Sequence, residues 1–358
     1  MGKTVVGTFV VSVRARSTLI LVHRRPLLEQ WIAQLAPFLG ISKDEIGRIG
    51  GGKHGPNGRL DVAMIQTLVR NPKVDELVSH YGHVVIDECH HVPARSFENV
   101  LSRIRARFVT GLTATPQRRD GHHPITRMQI GPVRFTVDGK SQTAKHGFAH
   151  RLLVHETAFA NPGSEVMGIQ NLYAALATDE ARNAAIIDDV IAALEEGRSP
   201  ILLTERKDHL EFFETRLRSF ARNMIVLRGG MGVKATRAAA ERLAAIPANE
   251  ERLILATGRF IGEGFDDARL DTLFLALPVS WKGTLVQYAG RLHRRHADKT
   301  EVRIHDYVDS RVPSLERMFQ KRLRGYRSMG YERSAEPARM ASPELTTVPD
   351  SEIWREES

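Results

Sequence analysis

Short apolar runs that alternate with longer amphipathic stretches constrain the fold of this chain more than any other feature. Each run is too short for a buried helix and is rich in aliphatic residues, so each predicts a buried strand. Strands separated by helix-length segments are typical of parallel sheets covered by helices. The runs form two groups, at 19–22, 62–65, 84–86 and 109–112, and then at 201–203, 225–227, 253–256 and 273–276.

The two groups of strands predict two α/β domains in tandem. A chain of 358 residues is long enough for two cores of ordinary size. We expect the boundary in a polar, glycine-containing connector, which gives a first domain of residues 1–150 and a second of residues 151–334. Apolar residues at helical spacing predict a helix over 186–194, before the second sheet. The segment 335–358 mixes Pro, Ser and acidic residues and is predicted to be a mobile tail.

Composition narrows the class of protein. With 42% hydrophobic and 26% charged residues, the chain is typical of a soluble globular protein, and it has no apolar run long enough for a membrane span. The single cysteine, Cys89, cannot form an internal disulfide or a multi-cysteine zinc site. These features predict a cytoplasmic location. The formal net charge of +9 favours a polyanionic partner such as nucleic acid, although a solvated basic surface is an equal alternative from charge alone.

An acidic pair follows one of the predicted strands in the string VVIDECHH. Asp87 and Glu88 stand at the carboxyl end of that strand, where ligands bind in open α/β sheets. Adjacent carboxylates there suit a magnesium nucleotide, since one can hold the ion and the other can orient the attacking water. A lone pair of this kind is more often a surface feature, so the assignment depends on other motifs.

The chain opens on a second nucleotide signal. Gly2, Lys3 and Thr4 match the last three positions of the phosphate-binding loop G-x-x-x-x-G-K-[ST], in which Lys reaches the terminal phosphates and Thr ligates magnesium. The earlier part of that loop is absent, so we expect a start assigned inside a longer reading frame, or a fragment of a larger protein. The cluster GGGKHG at 50–55 lacks a hydroxyl residue after its Lys and predicts a turn with no nucleotide role.

The ordered set of motifs resembles that of a known enzyme family over nearly the whole chain. The strings GKT, LVHRRPLLEQW, MIQTL, DECHH, GLTATPQR, ATGRFIGEGFDDARLD and QYAGRLHR look like motifs I to VI of superfamily 2 helicases. They are similar in particular to the branch of XPB-like and type III restriction-subunit-like DNA translocases. The resemblance implies two tandem RecA-like domains with parallel sheets, ATP and Mg²⁺ in the cleft between them, and nucleic acid lying across both.

The resemblance also assigns roles to residues at the nucleotide site. It places Gly2, Lys3 and Thr4 at the phosphates, with Thr4 and Asp87 at Mg²⁺ and Glu88 at the catalytic water. In the second domain it places Gly264 and Asp266 in contact with the nucleotide. Gln287, Arg291 and Arg294 match motif VI, in which the two arginines act as arginine fingers.

Two further sets of residues follow from the same resemblance. Thr113 and Thr115 are expected to couple the ATP site to nucleic acid. The positions that match phosphate-backbone contacts in the family are Arg24, Arg25, Gln66, Thr67, Gly229, Gly230 and Thr257.

Two alternatives remain open from the sequence. The incomplete phosphate loop is consistent with a nucleic-acid-binding module that has little or no ATPase activity. The same motor also occurs in RNA remodelling enzymes, although the DECH string and Gln287 fit the DNA translocases better. A nuclease, primase or recognition domain is a further expected partner, on the N-terminal side of a longer protein.

Overall fold

The structure is a computed structural model that describes residues 2–91, 95–114, 123–136, 147–161, 167–258, 267–279, 282–297 and 299–334. Its first sheet has the strand order β3-β2-β4-β1-β5-β6, and the pairings are parallel except for the hairpin of β2 and β3. The strands are β1 (Thr18–Val22), β2 (Gly47–Gly50), β3 (Lys53–Gly55), β4 (Leu60–Met64), β5 (His83–Asp87) and β6 (Phe108–Leu112).

Helices connect these strands and cover the first sheet. They are α1 (Lys3–Arg14), α2 (Arg25–Leu39), α3 (Ile65–Val69), α4 (Val74–Ser79), α5 (Arg95–Leu101) and α6 (His123–Ile130). The α1 and α2 helices approach closely at Gly7, where a Cβ atom would lie 2.5 Å from the Trp31 ring and 2.9 Å from Leu112. A glycine at this position therefore lets α1 lie directly on Trp31, which is a buried side chain of the core.

The second sheet contains parallel strands in the order β13-β7-β12-β11-β8-β10-β9. Such sheets are covered by helices on both faces, which explains the continuous burial of their central strands. The strands are β7 (Ala149–Glu156), β8 (Pro200–Thr204), β9 (Met224–Leu227), β10 (Leu253–Thr257), β11 (Thr272–Leu275), β12 (Glu301–Val308) and β13 (Glu332–Ser334).

The helices of the second part of the chain are α7 (Ile169–Thr178), α8 (Glu180–Glu195), α9 (Lys207–Leu217), α10 (Val233–Ala245), α11 (Lys282–Leu292) and α12 (Pro313–Ser328). The helix predicted over 186–194 is confirmed as part of α8. The α12 helix buries Met318, Phe319 and Tyr326, which recur at helical spacing, against the second domain.

All eight strands predicted from apolar runs are present, whereas β2, β3, β7, β12 and β13 were not predicted. The GGGKHG cluster does form a turn at 51–52, but the residues on either side of it belong to a β-hairpin. The second sheet begins at Ala149, close to the expected domain boundary, and the predicted tail lies outside the described residues. Among the helices that the structure describes, none combines the length and apolarity of a membrane span.

Candidate functional site

One cavity of about 330 Å³ collects residues from both domains. The α1 helix and the end of β5 form one wall, and α11 with the residues that follow it forms the opposite wall. Eight of the residues predicted for the nucleotide site line this cavity: Gly2, Lys3, Thr4, Asp87, Glu88, Gln287, Arg291 and Arg294. Residues almost 300 positions apart in the sequence are thus brought to one site.

The N-terminus of α1 opens into the cavity. The first N–H groups of a helix have no intrahelical acceptor, and the N-cap here, Gly2, provides no side chain to cap them. A helix N-terminus favours an anion through both these N–H groups and the helix dipole. The cavity therefore presents an anion-binding end at the position where Lys3 adds a full positive charge.

The two carboxylates of the DECH string are buried at the end of β5 and have different partners. The indole Nε1 of Trp31 donates a hydrogen bond to Oδ2 of Asp87 over 2.9 Å. The ammonium group of Lys3 forms an ion pair with Glu88. Glu88 has a backbone φ of 50°, in the left-handed region that non-glycine residues rarely adopt. This conformation lies at the turn that leaves the strand, where strained backbone is common in functional sites.

The different surroundings shift the pKa values of these groups in opposite directions. Burial raises the pKa of Asp87, and the positive charge of Lys3 opposes that shift only in part. For Glu88, burial acts to raise the pKa, but the hydrogen bond with His90 and the charge of Lys3 outweigh it and lower the pKa to about 2. Burial raises the pKa of the neighbouring Cys89 to about 12, which keeps the thiol neutral. Glu88 is thus held firmly in its ionised form.

His90 connects the acidic pair to the strand β6. Its Nδ1 atom lies 2.9 Å from the hydroxyl of Thr113 and 3.3 Å from Oε2 of Glu88. Thr113 follows β6 directly, so the imidazole bridges the ends of two neighbouring strands. Sequence reasoning assigned a role to Thr113 but missed His90 and Trp31. The repeated histidine in DECHH was the available signal for the first, whereas no local pattern indicated the second.

The opposite wall is basic. Gln287 and Arg291 project from α11, and Arg294 follows the end of that helix. Together with Lys3, the two arginines give the cavity three cationic side chains against the two carboxylates of Asp87 and Glu88. This excess of positive charge suits a polyanionic ligand such as a nucleoside triphosphate.

The predicted nucleic-acid contacts are absent from the cavity lining and lie in two groups at strand ends. In the first domain, Arg24 and Arg25 follow β1, and Gln66 in the neighbouring segment donates a hydrogen bond to the His23 carbonyl over 2.8 Å. Thr67 follows Gln66 in α3.

In the second domain, the backbone N–H of Gly229 donates to the Thr257 hydroxyl over 2.9 Å, with Gly230 alongside. Three predicted residues, Thr115, Gly264 and Asp266, lie outside the described part of the chain.

A separate group of titratable side chains lies within the second domain, between the sheet and α8. His155 Nε2 is 3.1 Å from His305 Nδ1, and His155 Nδ1 is 3.3 Å from Oδ2 of Asp189. These three residues are close enough to hold a metal ion. The hydrogen bonds that already join them, together with one from Tyr307 to Asp189, provide partners without an ion.

The fold and the shared cavity define a class of protein. The chain has two tandem sheets with alternating helices, and its cavity lies between a helix N-terminus, paired carboxylates and a basic wall. This is the architecture of a P-loop NTPase core built from two RecA-like domains.

Comparisons with known proteins show what the chain resembles within that class. Residues 1–118 match the family described as "Type III restriction enzyme, res subunit". The chain is 30% identical over 145 residues to a DNA 3'-5' translocase, XPB2, of Sulfurisphaera tokodaii, covering 40% of this chain and 32% of that protein. It is 24% identical over 325 residues to a putative ATP-dependent RNA helicase, L396, of Acanthamoeba polyphaga mimivirus, covering 86% of this chain and 58% of that protein.

Among solved structures, the ATP-dependent type ISP restriction-modification enzyme LlaBIII bound to DNA superimposes with a TM-score of 0.63 at 14% identity, over 92% of this chain and 28% of that one. This likeness concerns the fold. The family model and the XPB-type relatives support a superfamily 2 helicase of the XPB-like and type III restriction-subunit-like branch. It spans about a third to about three fifths of the two curated relatives described above.

Proposed function

We propose that this chain hydrolyses ATP in the cavity between its two domains and uses the cycle to move along nucleic acid, with DNA as the track. The observation that carries the proposal is the convergence of eight motif residues, from both ends of the chain, on one cavity. The two sheets support two domains, for which we propose the bounds 1–150 and 151–334, with the first residues of β7 at the boundary.

The first-domain wall fits a magnesium nucleotide. Lys3 and the N-terminus of α1 would bind the terminal phosphates, and the oxygen ligands preferred by Mg²⁺ would come from Thr4 and Asp87. When bound, Mg²⁺ neutralises charge on the phosphate oxygens. Glu88 is ionised and can accept a hydrogen bond from the attacking water, which orients that water toward the γ-phosphate.

The second-domain wall supplies positive charge to the same reaction. Arg291 and Arg294 would neutralise charge that develops on the transferred phosphoryl group, and Gln287 would help to position it. Because these groups belong to the other domain, hydrolysis and product release would change how firmly the two domains are held together. Each cycle would then shift one domain along the track relative to the other.

The two groups of strand-end residues are the proposed contacts with the track: Arg24, Arg25, Gln66, Thr67, Gly229, Gly230 and Thr257. Contacts with the phosphate backbone are independent of base sequence, as a motor requires. The names of the XPB-type relatives support DNA, and the net charge of +9 is compatible with either nucleic acid. The bridge from Glu88 through His90 to Thr113 is the proposed path by which the track affects hydrolysis.

The roles of the catalytic residues are tested by replacing Glu88 with glutamine. The Glu88→Gln variant keeps the size of the side chain but removes the charge that orients water. We expect it to bind a fluorescent ATP analogue and to lose nucleic-acid-stimulated hydrolysis by about a hundredfold or more. Unchanged stimulated hydrolysis would refute the assignment of Glu88.

The track is tested by measuring ATP turnover with double-stranded DNA, single-stranded DNA and RNA of matched length. Stimulation by DNA together with displacement of a DNA third strand supports a DNA translocase. Stronger stimulation by RNA would replace DNA with RNA as the track. Binding of nucleic acid without turnover would favour the second candidate, a binding module, for the chain of 358 residues.

A further inference from the structure

The ammonium group of Lys299 lies among four backbone carbonyl groups from two segments of the second domain. The carbonyls of Leu292 and Arg294 accept from Nζ over 2.9 and 2.8 Å. Those of Ala268 and Leu270 accept over 2.8 and 2.7 Å. A protonated amine has three hydrogens, so the four oxygens share its donors and surround its charge.

Two of these carbonyls belong to the stretch that carries the basic wall of the cavity. Leu292 is the last residue of α11, and the final carbonyls of a helix lack intrahelical donors and carry partial negative charge. Arg291 and Arg294, which line the cavity, lie beside the two carbonyls that Lys299 holds. The orientation of this stretch therefore depends on the group that satisfies its carbonyls.

The other two carbonyls belong to a turn that is itself fixed to the domain. The buried guanidinium group of Arg252 forms an ion pair with Asp267 over 2.7 Å. Arg269 donates hydrogen bonds to carbonyl groups at the end of α10 and just after it, those of Leu243, Ile246 and Pro247. Lys299 thus joins the end of α11 to a turn that has independent anchors.

We propose that Lys299 is a positioning residue that holds Arg291 and Arg294 in the cavity by binding the carbonyl groups of the stretch that carries them. This role rests on the proposed ATPase function for its effect on turnover, but the structural link is a property of the second domain alone. Lys299 acts through the arginines and is absent from the cavity lining.

The structural link is tested by hydrogen–deuterium exchange on the full chain without nucleotide. In Lys299→Met, which keeps an apolar stem but removes the charge and the donors, we expect amides in the 291–297 peptide to exchange about tenfold faster, with peptides of β1 unchanged. The exposed Lys43 of the first domain gives the matched control, Lys43→Met, which should leave both peptides unchanged. Unchanged exchange at 291–297 in folded Lys299→Met would overturn the proposal.

The Lys299→Arg variant covers the case in which the methionine variant does not fold. It retains a charge and several donors, but its planar group cannot direct them to four oxygens in the same way. We expect exchange at 291–297 between that of the wild type and a tenfold increase. If Lys299→Met has no stable fold while the 291–297 amides of Lys299→Arg exchange as slowly as in the wild type, Lys299 stabilises the domain as a whole. That result would overturn the proposal.

A kinetic cycle tests whether the effect passes through the arginines. Displacing catalytic groups by about 1 Å can cost about a hundredfold, so Lys299→Met should lower kcat by about 10- to 100-fold with little change in the KM for ATP. In a background of Arg291→Ala and Arg294→Ala, the same change should cost less than about twofold. A full loss in that background would refute the link. Absence of wild-type turnover would refute the proposed function, and the exchange experiment would then decide the positioning role by itself.

Discussion

Replacing Trp31 by phenylalanine isolates the hydrogen bond that supports the proposed magnesium ligand. Trp31 is 1% exposed, and its Nε1 atom donates to Oδ2 of Asp87 over 2.9 Å. The phenyl ring keeps an aromatic side chain in the core but cannot donate, and it lacks the outer indole atoms that lie nearest Gly7 of α1, so the thermal melt reports the packing loss separately. Asp87 would then keep its burial, which raises its pKa, and lose one of the interactions that lower it.

The expected magnitude follows from the kind of hydrogen bond that is lost. A hydrogen bond to a charged group contributes about 1.5–3 kcal/mol, and removal of a group that orients a metal ligand typically costs about 10- to 100-fold in metal affinity. We therefore expect the Mg²⁺ concentration that half-saturates ATP hydrolysis to rise by about 10- to 100-fold in Trp31→Phe.

The assay is a Mg²⁺ titration of ATP turnover at fixed nucleic acid, with a thermal melt of each variant. Tyr307→Phe is the matched control, because it removes a buried hydroxyl that donates to Asp189 over 2.8 Å and is absent from the cavity lining. The control should lose stability without a change in Mg²⁺ dependence. If Trp31→Phe shows the same Mg²⁺ dependence as wild type, the indole does not support a magnesium ligand.

Three further predictions concern acid stability, packing and coupling. Because Glu88 has a pKa of about 2 in place of 4.5, its ionised form stabilises the fold above pH 4.5, and that contribution is lost as the pH falls toward 2. Between pH 4.5 and 2, the free energy of unfolding measured with urea should therefore fall less in Glu88→Gln than in the wild type, by up to about 3 kcal/mol. The same pH profile for both proteins would contradict the lowered pKa of Glu88. Gly258→Ala should lower the free energy of unfolding by about 1–3 kcal/mol, because its Cβ would lie 2.1 Å from a tyrosine hydroxyl on α11. Gly168→Ala, in open space, is the control, and equal melting temperatures for the two variants would refute the clash. Thr113→Val removes the hydroxyl that contacts His90 and should reduce the ratio of stimulated to basal turnover by about tenfold, whereas an unchanged ratio would exclude this path.

The parts of the fold that the sequence predicts are those with a simple apolar pattern. The central strands β1, β5, β8 and β10 are apolar runs because both faces of a parallel sheet are covered. The missed strand β12 contains charged and histidine residues whose partners come from elsewhere in the chain. Its Asp306, for example, is bound by the guanidinium of Arg322 over 2.7 Å. Such a pairing is invisible in a local pattern.

In the candidate site, too, the sequence predicts some residues and not others. Motif spacing predicts roles for Lys3, Asp87 and Arg291, which the fold brings to one cavity. Trp31 contacts Asp87 across 56 positions of sequence. Lys299 acts on the arginines through the backbone carbonyls of Leu292 and Arg294. Contacts of this kind depend on how helices pack, and side-chain type alone does not indicate them.

Whether one ATP site is built from both domains is tested most directly by DNA-stimulated ATP turnover of the wild type, Lys3→Ala and Arg291→Ala under identical conditions. Lys3 and Arg291 lie on opposite walls of the cavity. A site shared by both domains predicts turnover in the wild type and a loss of about a hundredfold or more in each variant. Turnover that depends on Lys3 but is unaffected by Arg291→Ala would place the chemistry within the first domain and contradict a shared site.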